Sequence, residues 1–508
     1  MTNATTNDMT IVQKLDQLRN SGGEIRTLGL PDEVLEGFAA RDKRLEQAVD
    51  QALSISECWK SAYPELWQAD DAAQQAQLQS GYVNFYADDA VKPYVALAAK
   101  GPWIVTSKGA VVHESGGYGM LGFGHVPDAV LQAMNQPHVM ANIMTPSFSH
   151  LRFAEALRAE LGHTRRDGCP FERFVCMNSG SESVSVASRI ADINTKRMTD
   201  PGAPREGASI KYLSLTGGFH GRTDRPARYS HSTRSAYVKH LASFRDDDSL
   251  VTVEPNNIED LVRIFEWADA NDVFFEAVFM EPVMGEGNPG AALEPEFYRK
   301  ARALATQHGT LLLVDSIQAG LRAQGVLSIV DYPGFQDLEA PDLETWSKAL
   351  NAGQYPLSVL GMNTRAAAIY RKGVYGNTMT TNPRALDVAT TVLGLVTPEI
   401  RSNIVERGRE FIDKFKRLAE EMAGRITQVQ GTGLLFSVEL DGSRYKAFGA
   451  DSTEEYLRIN GINVIHGGEN SLRFTPSFTI TSEEVDMIVE ATRDALLNGP
   501  VKRVEEAA

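Results

Sequence analysis

The chain of 508 residues is 43% hydrophobic and 23% charged, which is ordinary for a globular protein, and it carries a net charge of −16. This acidic balance argues against nucleic acid and anionic membrane surfaces as general partners. Cys58, Cys169 and Cys176 are too few and too irregularly spaced for a disulfide framework or a zinc site. No apolar run approaches the roughly 18 residues of a membrane span, and the polar N-terminus lacks a signal segment. We therefore expect a cytoplasmic protein.

The first hundred residues (1–100) predict a helical extension that leads into a small domain. Apolar residues recur at helical spacing between positions 10 and 80, as at Ile11, Leu15 and Leu18. The sequence does not indicate what this extension does. A clasp between two subunits is one interpretation, and a decoration without a catalytic role is the other.

Residues 101–145 predict short strands and a glycine-rich segment. The stretch GYGMLG (117–122) matches the dinucleotide pattern G-x-G-x-x-G. A nucleotide site needs a helix that opens on the glycines and an acid about 20 residues later. Here Pro127 delays the helix and the region 137–142 holds no acid, so we do not predict a nucleotide site.

Residues 146–385 alternate between strand-like and helix-like runs, which predicts an α/β large domain with a mostly parallel sheet covered by helices. The predicted strands are 172–177, 210–215, 276–281 and 311–315, and the predicted helices are 150–161, a helix from 182, 257–269 and 295–308. Residues 386–508 predict the C-terminal part of the small domain, helical to about 423. Strands at 426–440, 463–465 and 471–474 and a helix from Ser482 then follow.

The run LLLVD (311–315) predicts a buried strand with a carboxylate at its carboxyl end, where ligands bind in open parallel sheets. A turn or helix-cap role is the alternative for Asp315 taken alone. Lys348 follows a second strand-like run, directly after Trp346 and Ser347. This position favours a buried amine, with a surface lysine as the alternative.

Seven motifs, in chain order, resemble those of the class III aminotransferases, which use pyridoxal 5′-phosphate (PLP) on the type I transferase fold. They are MNSGSES (177–183), GGFHGRT (217–223), EPVMGEG (281–287), DSIQAG (315–320), GNTMTTNPRA (376–385), GTGLLFSVEL (431–440) and SLRFTP (471–476). The resemblance covers residues 100–495 and implies a PLP-dependent aminotransferase. An aminomutase or racemase on the same scaffold and a non-catalytic regulatory protein that keeps the fold are the alternatives.

The resemblance implies two catalytic residues. Lys348 would hold the cofactor covalently and move the substrate proton, and Asp315 would keep the pyridine nitrogen protonated so that the ring accepts electrons. Ile317 and Phe219 would pack on the two faces of the ring. Gln318 would form a hydrogen bond with the phenolic oxygen.

The same motifs imply further neighbours of the cofactor. His220 and Glu281 would lie beside it, with no proton-transfer role assigned to His220. Ser316 stands where the family usually has a glutamate, which marks this chain as an atypical member.

Phosphate binding is expected at Ser179, Gly180 and Ser181, which open a predicted helix whose backbone N–H groups suit an anion. An ordinary serine cap is the alternative. Thr378 resembles the threonine that reaches the phosphate of the neighbouring subunit, although Met379 departs from the usual pattern. The family resemblance thus implies a homodimer or a dimer of dimers.

Two residues are expected to select the substrates. Arg473 resembles the arginine that binds a carboxylate through a two-pronged ion pair, with a surface-strand arginine as the alternative. Glu286 resembles the glutamate that neutralises that arginine when the donor has no carboxylate there. Together they imply an amine or amino acid donor, an ω-amine in particular, and a 2-oxo acid acceptor such as 2-oxoglutarate. The two substrates would react in turn in a ping-pong mechanism, without a metal.

Overall fold

The computed structural model of this chain describes residues 9–87 and 90–502, and its N-terminal part consists of helices. Their bounds are α1 (Ile11–Arg19), α2 (Asp32–Ala39), α3 (Lys43–Ala62), α4 (Pro64–Gln68) and α5 (Asp71–Gln79). Thr10 caps α1 by accepting the backbone N–H of Gln13 at 3.2 Å. Leu15, Leu18 and Leu45 are fully buried, because α1 packs on α3 and α3 packs on the strands that follow.

The next segment is a small antiparallel sheet followed by two helices. It consists of β1 (Ala96–Lys100), β2 (Trp103–Thr106), β3 (Val111–Glu114), α6 (Asp128–Met134) and α7 (Phe148–Glu160). Gly109 takes a positive φ of 73° in the turn between β2 and β3. After the glycine-rich segment 117–122, the next helix in the described chain begins only at Asp128, so no helix opens on those glycines.

The central part of the chain alternates strands and helices. Its elements are β4 (Arg173–Met177), α8 (Gly180–Thr199), β5 (Ser209–Leu215), α9 (Asp224–Tyr229), α10 (Arg234–His240), β6 (Leu250–Val253), α11 (Ile258–Ala270), β7 (Val273–Met280), α12 (Pro295–His308), β8 (Leu311–Asp315), β9 (Leu343–Trp346), β10 (Ser358–Met362) and α13 (Thr364–Ile369). The strands form one sheet in the order β4-β10-β9-β8-β7-β5-β6. Every pairing is parallel except those of β10, which runs antiparallel to both neighbours. The predicted α/β class with a mostly parallel sheet is confirmed.

The C-terminal part returns to the beginning of the chain. It contains α14 (Pro383–Leu395), α15 (Pro398–Glu421), β11 (Ile426–Thr432), β12 (Leu435–Leu440), α16 (Thr453–Ile459), β13 (Ile462–Asn463), β14 (Ile465–Gly467), β15 (Ser471–Phe474) and α17 (Ser482–Asn498). Strands β11, β12, β15 and β14 form an antiparallel sheet. Strand β13 instead joins β3 in parallel, with Ile462 beside His113. The division into domains at residues 100, 145 and 385 stays a prediction.

Two features of the sheet position the candidate site. Strands β7 and β8 are buried along their whole length, so their ends are held firmly. The parallel register of β8 and β9 sets Asp315 beside Thr345. Thr345 precedes Lys348 by three residues, so the ends of the two strands carry Asp315 and Lys348 to the same edge of the sheet. No helix in the described part of the chain is both long and apolar enough to cross a membrane.

Candidate active site

A cavity of about 400 Å³ lies at the carboxyl ends of β8 and β9, within the size range of small-molecule sites. It brings together most of the site residues predicted from the sequence. Those in its lining are Ser179, Gly180, Ser181, Phe219, His220, Glu281, Glu286, Asp315, Ile317, Gln318 and Lys348. Arg473 donates a hydrogen bond to one lining residue, Gly285, and Thr378 lies outside the cavity.

Lys348 immediately follows the turn residue at the end of β9 and faces the cavity. Its φ of 47° is rare for a residue with a side chain, and such backbone strain is concentrated at functional sites. Its ammonium donates to the Gln318 side-chain oxygen. Burial, reinforced by the charge of Arg473, lowers the pKa of Lys348 to about 8. A substantial fraction of the amine is therefore uncharged, and nucleophilic, near neutral pH.

Asp315 closes the floor of the cavity and is only 4% exposed. Its Oδ2 lies 2.8 Å from Nδ1 of His220, and its Oδ1 accepts the Ile317 backbone N–H at 3.1 Å. In the first contact the imidazole Nδ1–H donates to the Asp315 carboxylate. His220 also packs edge-on against Phe279, with ring centroids 5.4 Å apart. The histidine therefore holds the acid in place, a contact that the sequence did not reveal.

Glu281 joins two loops that border the cavity. Its two carboxylate oxygens accept the backbone N–H groups of Phe219 at 3.0 Å and Gly285 at 2.9 Å. Burial raises the pKa of Glu281 to about 7, while nearby His220 opposes that shift. Because the carboxylate satisfies both N–H groups, it fixes the loop of Phe219 relative to the loop of Glu286.

The N-terminus of α8 forms another side of the cavity. Ser179 caps this helix, its hydroxyl accepting the Glu182 backbone N–H at 3.3 Å. A Cβ on Gly180 would lie 2.6 Å from Cδ1 of Ile317, and a Cβ on Gly221 would lie 2.3 Å from the Ser181 hydroxyl oxygen. The two glycines therefore allow the turn at 179–181 and the loops around it to approach closely.

These groups correspond to the polar handles of PLP. An amine, a buried carboxylate and a helix N-terminus would meet its aldehyde, its ring nitrogen and its phosphate respectively. His220 Nε2 and Gln318 Nε2 are buried and have no hydrogen-bond partner within the described ranges, so both are free to bond a ligand. The residues present fit this cofactor.

At the substrate end, Glu286 is not paired as the sequence suggested. Its Oε1 lies 3.5 Å from Nη2 of Arg222, whose guanidinium also stands 5.4 Å from the ring centre of Phe219. Arg473 instead donates to the backbone oxygen of Gly285. Burial lowers the pKa of Arg473, and the charge of Glu286 acts against this shift. Within residues 9–87 and 90–502, no carboxylate lies within ion-pair distance of Arg473.

Sequence reasoning missed several residues that line the cavity or contact its lining. Arg222 belongs to the motif GGFHGRT, yet only its three-dimensional position identifies it as the partner of Glu286. Met120 comes from the glycine-rich segment 117–122. Asn351 and Tyr355 follow Lys348, and no sequence signal singled them out.

The atypical Ser316 has a structural explanation. Its hydroxyl donates to Oε1 of Glu344 at 2.6 Å, and the same carboxylate oxygen accepts the Ile329 backbone N–H at 3.0 Å. Glu344 is fully buried on β9, and burial raises its pKa to about 7. A buried carboxylate therefore does lie beside the residue that follows the cofactor acid, but β9 supplies it.

Thr378 lies on the surface, beside a set of exposed apolar side chains that we call the apolar face. Its members are Val139, Ile143, Met144, Phe148, Leu151 and Met379. Met144 and Phe148 are each 82% exposed. The backbone oxygen of Thr378 accepts from the Asn142 side chain at 3.2 Å, which ties its loop to this face.

Comparison with known proteins places these observations in a family. The family described as aminotransferase class-III matches residues 85–496. Ornithine aminotransferase of Saccharomyces cerevisiae is 27% identical over 396 residues, which cover 76% of this chain and 90% of the relative. Ornithine aminotransferase 2 of Staphylococcus aureus is 27% identical over 406 residues, which cover 79% and 93% respectively.

Solved structures show the same fold. Ornithine aminotransferase from Toxoplasma gondii, which was crystallised with PLP partially occupying its active site, superimposes with a TM-score of 0.70 at 23% identity. That match covers 84% of this chain and 94% of the other. A phospholyase from Arthrobacter, in complex with phosphoethanolamine, gives a TM-score of 0.67 at 19% identity and covers 84% and 100%. At these identities the likeness establishes the type I fold alone.

Proposed function

Because this chain belongs to the class-III aminotransferases, we propose that it transfers an amino group from an ω-amine or amino acid to 2-oxoglutarate. PLP-dependent transfer to a 2-oxo acid is the activity of the family, and the choice of donor and acceptor is our proposal. The observation that supports it is the buried, positively charged Arg473, which has no carboxylate partner within the described ranges and lies close enough to Lys348 to lower its pKa.

The residues of the cavity have separable tasks. PLP supplies, when bound, an aldehyde that combines with amines and a ring that accepts an electron pair. Lys348 would provide the amine that holds the cofactor and that moves the substrate proton. Asp315 would hold a proton on the ring nitrogen, and the Nδ1–H of His220 orients the Asp315 carboxylate. Gln318 accepts a hydrogen bond from Lys348 and so directs the amine into the cavity.

Arg473 supports a dicarboxylate acceptor. A guanidinium presents a planar fork that matches a carboxylate with two parallel hydrogen bonds. A 2-oxo acid with a second carboxylate would meet this fork at one end while its carbonyl lies near Lys348. A monocarboxylate such as pyruvate would leave the buried charge unmet, and an unpaired buried charge is costly.

Glu286 supports a donor of different charge. Its carboxylate already acts on Arg473 electrostatically, although its nearest cation is Arg222. In the donor half-reaction we propose that Glu286 neutralises Arg473, which lets one cavity accept a donor without a carboxylate there. Donor and acceptor then use the cavity in turn, which is a ping-pong mechanism.

We further propose that the enzyme is a homodimer, as such or within a dimer of dimers. The apolar face exposes six large apolar side chains and borders the loop of Thr378, and exposed apolar patches often mark protein–protein contacts. Thr378 would then reach the phosphate site of the partner, consistent with its place outside the cavity of its own chain. A cytoplasmic location stays a prediction from the three unpaired cysteines.

The decisive experiment is a panel of ω-amines and amino acids, each offered with 2-oxoglutarate or with pyruvate. We expect glutamate to form in equal amount to the donor consumed, and 2-oxoglutarate to be preferred over pyruvate. Conversion of the donor without any acceptor would instead identify an aminomutase or racemase. Protein that neither takes up PLP nor reacts with amines would contradict catalysis altogether.

Replacing Arg473 with alanine tests the acceptor site. We expect the KM for 2-oxoglutarate to rise on the order of a hundredfold and the KM for pyruvate to change little, because only the first substrate fills the charged pocket. The control is Arg493→Ala. Arg493 lies on α17, where it pairs with Glu490 of the same helix and with Glu421 at the end of α15. Equal effects of Arg473→Ala on both acceptors would remove Arg473 from the substrate site.

A further inference from the structure

Arg322 is a buried cation without an anion. Its side chain is 0% exposed, and no carboxylate in the described chain lies within ion-pair distance of it. Its guanidinium stands 5.0 Å from the ring centre of Phe478, and burial lowers its pKa to about 9. A buried charge of this kind is destabilising unless its hydrogen bonds do specific work. The partners of Arg322 therefore decide its role.

Those partners are backbone oxygens from three separate parts of the chain. Nη1 donates to the oxygen of Leu434 at 3.2 Å and to the oxygen of Pro476, and Nη2 lies 3.4 Å from the oxygen of Gly119. Leu434 immediately precedes β12, Pro476 follows β15, and Gly119 belongs to the glycine-rich segment. A planar guanidinium spreads its donors over three nitrogens, so it reaches carbonyls that lie farther apart than the donors of a single ammonium nitrogen can.

Two of the three segments border the candidate site. Pro476 lies three residues after Arg473 on the same strand end, and Gly119 directly precedes Met120 in the cavity wall. Arg322 itself lies four residues after Gln318, the partner of Lys348. The Gly119 backbone N–H also donates to the Thr475 hydroxyl at 3.2 Å, so the peptides on both sides of Gly119 are bound to the segment after β15.

We propose that Arg322 is a positioning residue that sets the distance between the carboxylate site at Arg473 and the amine of Lys348. Arg322 follows Gln318 in the chain, and its one guanidinium binds the backbone next to Met120 and the backbone that follows the strand of Arg473. This proposal rests on the proposed function, because it assigns Arg473 to the 2-oxo acid. Arg322 does not contact the reacting atoms. Its loss should therefore alter the fit of a dicarboxylate more than it alters chemistry on a short acceptor.

The test is Arg322→Lys in the PLP-loaded enzyme, because lysine keeps the charge but carries all its donors on one nitrogen, whereas Arg322 uses two nitrogens, so we expect at least one of the three contacts to be lost. We expect the KM for 2-oxoglutarate to rise on the order of tenfold and the KM for pyruvate and its kcat to change by less than about threefold, since a small misplacement penalises only the substrate that must span both ends. Arg322→Met, which also removes the charge, should show the same selectivity in a larger degree if it folds.

The matched control is Arg302→Lys. Arg302 is equally buried, on α12, and is paired with Asp342 at 2.6 Å, away from the cavity. The Arg302→Lys substitution should lower the midpoint of thermal unfolding without changing the preference for 2-oxoglutarate over pyruvate. If Arg322→Lys behaves like this control, or raises both KM values equally, Arg322 is merely structural and the proposal is wrong.

Glutarate, an unreactive dicarboxylate, separates this proposal from the proposed function. Its binding is measured as the increase in thermal unfolding midpoint with concentration, which needs no turnover. We expect Arg322→Lys to weaken glutarate binding about as much as it raises the KM for 2-oxoglutarate, and Arg302→Lys to leave it unchanged. If the unsubstituted enzyme fails to transaminate, the proposed function is wrong, and the glutarate titration still decides the role of Arg322. Unchanged glutarate binding in Arg322→Lys would overturn the proposal.

Discussion

At the scale of single residues, Lys348 has to reconcile two requirements. Its amine has to donate a hydrogen bond to Gln318, and a fraction of it has to be uncharged so that it can attack an aldehyde. Burial and the charge of Arg473 meet the second requirement by lowering its pKa to about 8 from the ordinary 10.5. Because the folded value is depressed, burial of the charged amine costs stability below pH 8, and this cost disappears as the pH rises towards 10.5.

We predict that covalent capture of PLP by the cofactor-free protein depends on pH with a midpoint near 8, because only the uncharged amine reacts. Borohydride trapping at intervals between about pH 6 and 10, followed by peptide mapping, measures this dependence at Lys348. Lys348→Ala should abolish turnover and leave PLP bound only non-covalently. A midpoint near 10.5, or a label on another lysine, would contradict the assignment.

The contacts of single residues were only partly predictable from the sequence. The motifs indicated Asp315, Gln318 and Lys348, because these residues follow two strand-like runs and ligands bind at the carboxyl ends of parallel strands. They did not indicate that His220 holds Asp315, since that contact joins residues 95 positions apart. The contact between Ser316 and the Glu344 carboxylate on β9 could not be predicted either, because strand register determines which side chains meet.

At the scale of elements, helix α8 shows how tightly the phosphate end is packed. Its first residue, Gly180, lies so close to Ile317 that an added methyl group would approach Cδ1 to 2.6 Å. Ile317 is also expected to pack on the cofactor ring. Any displacement of its side chain by residue 180 would therefore narrow the space for the cofactor.

We predict that Gly180→Ala weakens PLP affinity by about tenfold while the fold is retained, because the far end of a flexible side chain can move at moderate cost. Adding Ile317→Val removes the Cδ1 atom and should restore most of the affinity. Equilibrium titration followed by absorbance measures both. The control is Gly394→Ala in α14, where an added Cβ meets no atom within 4 Å. Failure of the double variant to recover would mean that Gly180 is needed for another reason.

Elements of the large sheet were well predicted where the hydrophobic pattern was strong. Strand β8 and helix α12 have the predicted bounds, because an unbroken apolar run and a proline start leave little choice. The antiparallel β10 was not predicted. Its direction depends on the turn that follows Lys348, and a pattern of apolar residues does not carry strand direction.

At the scale of the whole molecule, the apolar face is the main feature that a single chain does not explain. Most of its members lie on or near the start of α7, and Met379 joins them from the loop of Thr378. Sequence periodicity identifies residues that avoid water but not whether their own chain or a partner covers them. The resemblance, rather than the pattern, led to the prediction of a dimer.

We predict that Met144→Lys converts the proposed homodimer into a monomer and lowers PLP affinity, because it places a charge in the apolar face and would separate Thr378 from the phosphate site that we propose it reaches in the partner. Light scattering during size-exclusion chromatography and a PLP titration measure the two effects. The control is Leu497→Lys on α17, whose side chain is also exposed, at 54%, but lies outside the apolar face. A mass unaffected by Met144→Lys would place the subunit contact elsewhere.

The parallel pairing of β13 with β3 has a consequence for how the chain emerges from the ribosome. His113 is synthesised long before its neighbour Ile462. Until then one edge of the β1–β3 sheet has open backbone groups, the condition in which nascent chains associate wrongly. The edge of the β1–β3 sheet is therefore closed only after every strand of the large sheet has been synthesised.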